Sequence, residues 1–496
     1  MRRFTWSLGM LLGCNAILGS NDYRVGLGGD GQGGGASSQG AGPTTGGGGV
    51  GASGATGGGG SGPGPGGAGG AGGDGGMGGN PCDVPLADKP VVTIEGEVTS
   101  DFTLTCDKSY KLTGEVFVQP PAVLTVEAGT TVFGDKTTGA ALVIRPGAKI
   151  EAIGEPDRPI VFTSEGGDFA DPGDWGGLVI LGNAPINVLD GNGMEVQAKV
   201  EGIVDEANAF YGGQDPMDDS GTLAYVRVEY GGKAIAPNNE LNGITFGGVG
   251  RGTEVHHVQV RQTTDDCFEF FGGTVDVKYL ICQAPGDDGF DWDFGYTGRM
   301  QFLVLQQDVA YPAPQDMNGF EGDNDAAGSS NVPLSEPTIY NATLCGQDYN
   351  LGQQYGALLR KNTRAHIFNT IVSGFEAGVD VRDASGPLLQ FQHSVFFGNT
   401  RVAYPEDQPS PYGNDDGMFD EAAWLTAPAN SNSFADPGVA GCDDMMTLDL
   451  APATPPAGVG VSPPADGFFD DAPYPGAFAD AADDWASGAW VSWMAN

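Results

Sequence analysis

The stretch from Gly243 to Trp292 repeats one short pattern three times, as Gly243-Ile244-Thr245-Phe246, Cys267-Phe268-Glu269-Phe270 and Gly289-Phe290-Asp291-Trp292, with starts 24 and then 22 residues apart. Self-similarity at such a period is the signature of a solenoid. In each copy two apolar side chains flank one polar side chain, the period-two alternation of a strand with its apolar residues inward. Stacked copies bury the inward residues against one another, and Thr245, Glu269 and Asp291 are expected to form an outward column. The predicted fold is all-β, a parallel β-solenoid.

The pattern extends both ways. Upstream, Gly139-Ala140-Ala141-Leu142-Val143-Ile144 and Gly176-Gly177-Leu178-Val179-Ile180 read as earlier copies, with a loop excursion from Gly166 to Asp174 between them. Downstream, Asn318-Gly319-Phe320-Glu321, Tyr355-Gly356-Ala357-Leu358-Leu359 and Ala377-Gly378-Val379-Asp380-Val381 continue it. A second strand per rung is read from Val258-Gln259-Val260, Leu280-Ile281-Cys282 and Phe302-Leu303-Val304 at a 22-residue offset, and from Asn341, Asn369 and His393 onward. These rungs resemble the right-handed parallel β-helix, or pectin-lyase-like, family of bacterial surface proteins, from about residue 95 to about residue 400. The resemblance lies in the rung pattern and by itself implies no enzyme.

Met1-Arg2-Arg3 and the apolar run Phe4 to Leu12 read as a secretory signal (1–13), and Leu11-Leu12-Gly13-Cys14 matches a bacterial lipobox. Cleavage before Cys14 and acylation there are expected, the alternative being an incidental thiol in a signal cut further on. Asn15 is not the aspartate that marks inner-membrane retention in lipoproteins, so that resemblance implies the outer membrane as partner through the lipid. Residues 14–81 are assigned as a linker, in which Gly28 to about Asn80 is almost entirely Gly, Ala, Ser and Pro, cannot bury apolar surface and is expected to be a disordered tether with a reach of about 40 Å. The solenoid is assigned to 82–404, its first part, 82–125, covering the N-terminal end. A loop-rich segment, 405–496, closes the other end, with a short helix near Glu421 to Leu425. Trp485, Trp490 and Trp493 are expected to pack against the last rung, although sugar stacking is the alternative.

The formal charge is -42, from 22 basic and 64 acidic residues. That balance excludes nucleic acid as a partner, since phosphate binding needs a basic footprint. A polysaccharide or a surface protein remains. Apart from Cys14 the chain has Cys82, Cys106, Cys267, Cys282, Cys345 and Cys442, an even set that favours disulfides in an exported protein. Six cysteines allow 15 pairings. Cys82 with Cys106 and Cys345 with Cys442 are the pairs expected first. Cys267 precedes its strand and should face outward while Cys282 faces inward, which leaves these two as a strained pair or as buried thiols.

Aligned on their Gly-aromatic element, the rungs place Glu269, Asp291 and Glu321 in one column, with Asp380 in the same phase two rungs on. Carboxylates on adjacent rungs, roughly 4.8 Å apart, repel by about 1 kcal/mol in water and several times that at lower dielectric. Asp265-Asp266, Asp287-Asp288, Asp293, Asp323 and Asp325 add to the cluster. Three readings stay open. Turn aspartates cap backbone donors while the column pairs with Arg261, Arg299 or Arg360. Alternatively Asp266, Glu269, Asp288, Asp291, Asp293 and Glu321 hold Ca²⁺, which such an oxygen-rich, histidine-poor set suits. Or Glu269, Asp291 and Arg299 are catalytic, in a Ca²⁺-dependent polysaccharide lyase or hydrolase. Asp265-Asp266-Cys267 resembles the paired-aspartate element of polygalacturonases, yet no His-Gly or Arg-x-Lys element accompanies it. His256, aligned with Lys278, and His393, aligned with Asn341 and Asn369, read as a polar ladder. The leading expectation is a lipid-anchored, exported β-helix with a structural, adhesive or carbohydrate-binding role.

Overall fold

A computed structural model describes residues 81–236, 239–308, 317–347, 354–383, 388–404, 419–446 and 449–493. Cys14, the signal and the Gly-rich stretch lie outside the described residues, as does part of the segment between Asp308 and Pro337.

The strands form one 24-stranded sheet whose principal pairings are all parallel, wound as a β-helix of three columns. The first column runs through Ala141–Ile144, Leu178–Leu181, Ile244–Gly247, Phe268–Phe271, Phe290–Asp293, Phe320–Gly322, Ala357–Leu359 and Asp380–Val381. Its register pairs Thr245 with Glu269, Glu269 with Asp291 and Asp291 with Glu321. Leu358 separates Glu321 from Asp380. Ile244, Phe246, Phe268, Phe270, Phe290, Trp292 and Phe320 fill the interior, with Phe246 stacked on Phe270 at 5.0 Å and Phe268 on Phe290 at 5.4 Å.

The long strands Gly221–Glu229, Glu254–Arg261, Asp276–Gln283, Arg299–Gln306 and Thr338–Cys345 each serve the other two columns by bending at one residue. That residue has positive φ in all five, as Tyr225, His257, Tyr279, Phe302 and Asn341, and so do Asn369 and His393 at the same place between the shorter strands that follow. Non-glycine residues rarely adopt this conformation. Stacking offsets its cost here, with Tyr225 on His257 at 4.6 Å, His257 on Tyr279 at 4.4 Å and Tyr279 on Phe302 at 4.8 Å. The ladder therefore includes His257 and Phe302, with His256 one place before the bend, opposite Lys278. The 22-residue reading fails by one position at Phe302, because Leu280 pairs with Leu303 and Cys282 with Leu305. One extra residue enters before Arg299, and a one-residue slip exchanges the faces of a strand.

A corner before each first-column strand is held by Gly243, Gly289, Gly319, Gly356 and Gly378. A Cβ at Gly243 would lie 2.2 Å from Val260 Cγ1, and one at Gly356 would lie 2.1 Å from Val372 Cγ1. Cys267 occupies this corner in its own rung, facing Cys282, and the two form a disulfide with Cα atoms 5.6 Å apart. The expectation that Cys267 faces outward is thus corrected: strand alternation does not hold at a corner, where the chain changes direction. Cys82–Cys106 and Cys345–Cys442 are the other disulfides.

Two coverings were not legible as rungs. The stretch 182–220 leaves the helix after Leu181, and its Ile186, Val188, Val200, Ile203 and Tyr211, joined by Leu241 from beyond Gly221–Glu229, pack on Phe117, Val143 and Val179, the apolar beginning of the first column's outer face. At the far end α1 (Glu421–Thr426), N-capped by Asp420, buries Leu425 in the main core. The chain beyond it does not stop at the last rung. It covers the outer face of the third column, made by the parts of the long strands that follow the bend, where Ile281, Val304 and Cys345 meet Leu450, Phe478 and Trp490. Gln259 bonds Ser492, Gln301 bonds Asp470, Thr343 bonds Ala477 and Asn369 bonds Val461. The tryptophans accordingly do not sit on the last rung. Trp490 lies against Tyr225 and His257, and Trp485 against Tyr279. At the N-terminal end, Val91–Val98 already pairs in parallel with the strand Ser109–Val118, so the ladder begins inside the stretch 82–125 that was expected to cover that end.

His257 yields a pH prediction. Its Nδ1 is 2.9 Å from that of His256, whose Nε2 lies 3.4 Å from Glu254. Burial, and then the charge of His256, push the His257 pKa down to about 4. The unfolded chain, with a pKa near 6.5, takes up a proton that the folded chain refuses between about pH 6.5 and 4. Stability from this residue is present above that window and is lost as pH falls through it. Thermal melts of wild type and His257→Phe should therefore differ progressively less in favour of wild type from pH 7 to pH 4.5; parallel profiles would overturn the assignment.

Candidate functional site

The acidic column lies where the apolar part of the outer face ends. Its side chains are not solvent-facing, which corrects the expectation from alternation: Glu269 is 2% exposed, Asp291 7% and Glu321 7%. Two-residue periodicity reports which side of a strand a residue occupies, but not what covers that side.

The structure divides the six residues offered as metal ligands. Asp266 and Asp288 belong to a ladder between rungs, in which Asp266 Oδ1 accepts from the Asp288 amide at 2.8 Å and Asp288 Oδ1 from the Asn318 amide at 2.6 Å. Asn318 Oδ1 accepts from the Tyr355 amide in turn, and Asn318 Nδ2 donates to Glu321. Glu321 and Asp323 meet Arg360, with Nε 2.8 Å from Asp323, while Lys361 Nζ lies 3.0 Å from the other Asp323 oxygen. Burial by itself would favour loss of the Arg360 proton, but Asp323 and Glu321 hold the guanidinium charged. Arg382 pairs with Asp380 at 2.7 Å. Asp293 accepts from the Phe294 amide through one oxygen, while its buried Oδ2 has no hydrogen-bond partner.

Asp266, Glu269 and Asp291 remain as a converging set, one oxygen from each within 4.8 Å of the others. A second set, Asp265, Asp266 and Asp287, shares Asp266 and is less buried. Burial, reinforced by neighbouring carboxylates, drives the carboxyls of Asp266, Glu269, Asp288, Asp291 and Asp293 well above the ordinary carboxylate range. Asn242, which the sequence did not single out, donates through Nδ2 to Glu269 and to Thr245 Oγ1. Its signal was its place immediately before Gly243, the position held by Asp266, Asp288 and Asn318 in later rungs.

The arginines separate in the same way. Arg299 is joined to Asp276 and, at 2.7 Å, to Asp466, and its guanidinium lies 4.6 Å from the Phe468 ring. Arg261 bonds Ser492 and Tyr230 and lies 3.5 Å from Glu229. Both are occupied on the side covered by the C-terminal segment, so that of these three arginines it is Arg360 that reaches the acidic column. A family model for a pectate-lyase like beta helix domain matches residues 96–405. No curated protein and no solved structure matches the chain.

Proposed function

The chain belongs to the pectate-lyase-like beta helix domain family, and from that premise we propose that it is an exported, non-catalytic β-helix with a structural, adhesive or carbohydrate-binding role at the cell surface. The observation that carries this reading is the burial of Glu269 and Asp291 together with the engagement of Arg299 by Asp276 and Asp466. A general acid or nucleophile must touch the glycosidic bond, and a base must be within hydrogen-bond reach of its proton. These three side chains do not offer a polymer that access. Three disulfides agree with folding in an oxidising, exported setting. Among the described residues no helix is long and apolar enough to cross a membrane. An outer-membrane anchor through a lipid on Cys14 is part of the same proposal, and mass spectrometry of the N-terminal peptide from the exported protein tests it.

For the activity, the full chain is to be incubated with neutral and acidic polysaccharides, with and without calcium. The expected result is retention of polymer without new reducing or unsaturated ends. Calcium-dependent cleavage that disappears in Asp291→Ala would establish a lyase or hydrolase instead.

A further inference from the structure

We propose that Asp266, Glu269, Asp291 and Asn242 form an interior Ca²⁺ site that ties neighbouring rungs together, a structural site rather than a substrate-binding one. The inference is independent of what the outer surface of the protein binds.

Two observations beyond the acidity point to a ligand. Asp291 is 7% exposed and its Oδ1 has no hydrogen-bond partner, although its carboxylate lies where those of Asp266 and Glu269 converge. Asn242 is 1% exposed, donates to Glu269, and leaves its own Oδ1 buried and equally without a partner. Buried acceptors are almost always satisfied, so orphans on two residues beside one carboxylate cluster call for an occupant. A water molecule supplies donors but no neutralising charge. The downstream part of the column has its counter-charges built in, as Arg360 and Lys361 at Glu321 and Asp323 and as Arg382 at Asp380. Arg360 binds Glu321 and Asp323 directly rather than Asp291, so the upstream part is where an external cation completes the same neutralisation.

The donor chemistry selects the ion. All the candidate ligand atoms are carboxylate or amide oxygens, which hard cations take and which zinc and copper sites seldom use alone. A Ca²⁺ with bonds of roughly 2.4 Å holds oxygens up to about 4.8 Å apart across itself, whereas Mg²⁺ at roughly 2.1 Å demands a tighter octahedron. The carboxylate oxygens span no more than 4.8 Å. Glu269 and Asp291 come from paired strands, and Asp266 precedes the strand that carries Glu269, so one ion bridges two rungs.

The test uses the full chain, stripped with chelator and titrated with CaCl₂ or MgCl₂ by calorimetry and by thermal melting. Wild type should bind Ca²⁺ in the convergent site, gain several degrees in melting temperature, and respond much less to Mg²⁺. Asp291→Asn keeps the shape and removes one charge. It should melt above wild type in chelator, where repulsion is unanswered, and below wild type in excess calcium. That crossing is the signature of a ligand site. The absence of calcium binding to wild type, or a calcium response unchanged in both Asp291→Asn and Glu269→Gln, would overturn the proposal.

Discussion

Replacing Arg360 with methionine is expected to cost about 3–5 kcal/mol of stability, the cost typical of removing one partner from a buried ion pair. The guanidinium is buried between Glu321 and Asp323 and bonds both. Methionine keeps much of the volume but leaves the Glu321 charge without its counter-ion. Asp323 suffers less, because Lys361 remains 3.0 Å away. Adding Glu321→Gln to Arg360→Met should recover a large part of the loss, since the remaining amide carries no charge to desolvate. Denaturant unfolding of the two single variants and the double variant measures this coupling directly. A loss below about 1 kcal/mol in the single variant would mean that the pair behaves as an exposed one.

The second large effect is expected at Cys345–Cys442. This disulfide spans 97 residues and fastens the C-terminal segment to the outer face of the third column. Closing a loop of that length removes chain entropy worth about 4–5 kcal/mol in the loop-closure account, and measured losses run at about 2–5 kcal/mol. Substituting both cysteines with alanine should lower stability by that order. Amide exchange should rise first across residues 428–493, which hold the solenoid through scattered bonds to Gln259, Gln301, Thr343 and Asn369 rather than through a continuous ladder. Uniform exchange with an unchanged melting temperature would show that the segment is held by its side chains alone.

The rungs were legible because their periodicity is written in side chains that meet copies of themselves. Phe268, Phe290 and Phe320 repeat a small apolar motif, and parallel stacking is the arrangement that buries all of them. The glycine corner was legible as a column of residues, yet its reason was not. Only the approach of Val260, Leu344 and Val372 to Gly243, Gly319 and Gly356 shows why a side chain is excluded there and why Cys267, paired with Cys282, is admitted. The register at Phe302 was misread because one inserted residue changes no composition and no local pattern.

For the candidate site the sequence determined the column itself: Glu269, Asp291 and Glu321 occupy successive rungs because strand alternation and the repeat length are local properties of the chain. Tertiary structure decided everything that depends on what lies above that column. It buried the acids, separated Arg299 from them, brought Arg360 to Glu321, and set Asn242 beside Glu269. The physical reason is that the spacing of a repeat is fixed by covalent geometry and hydrogen bonding along and between strands. Solvent exposure and charge compensation are fixed by side chains remote in the chain, whose arrival no local period records.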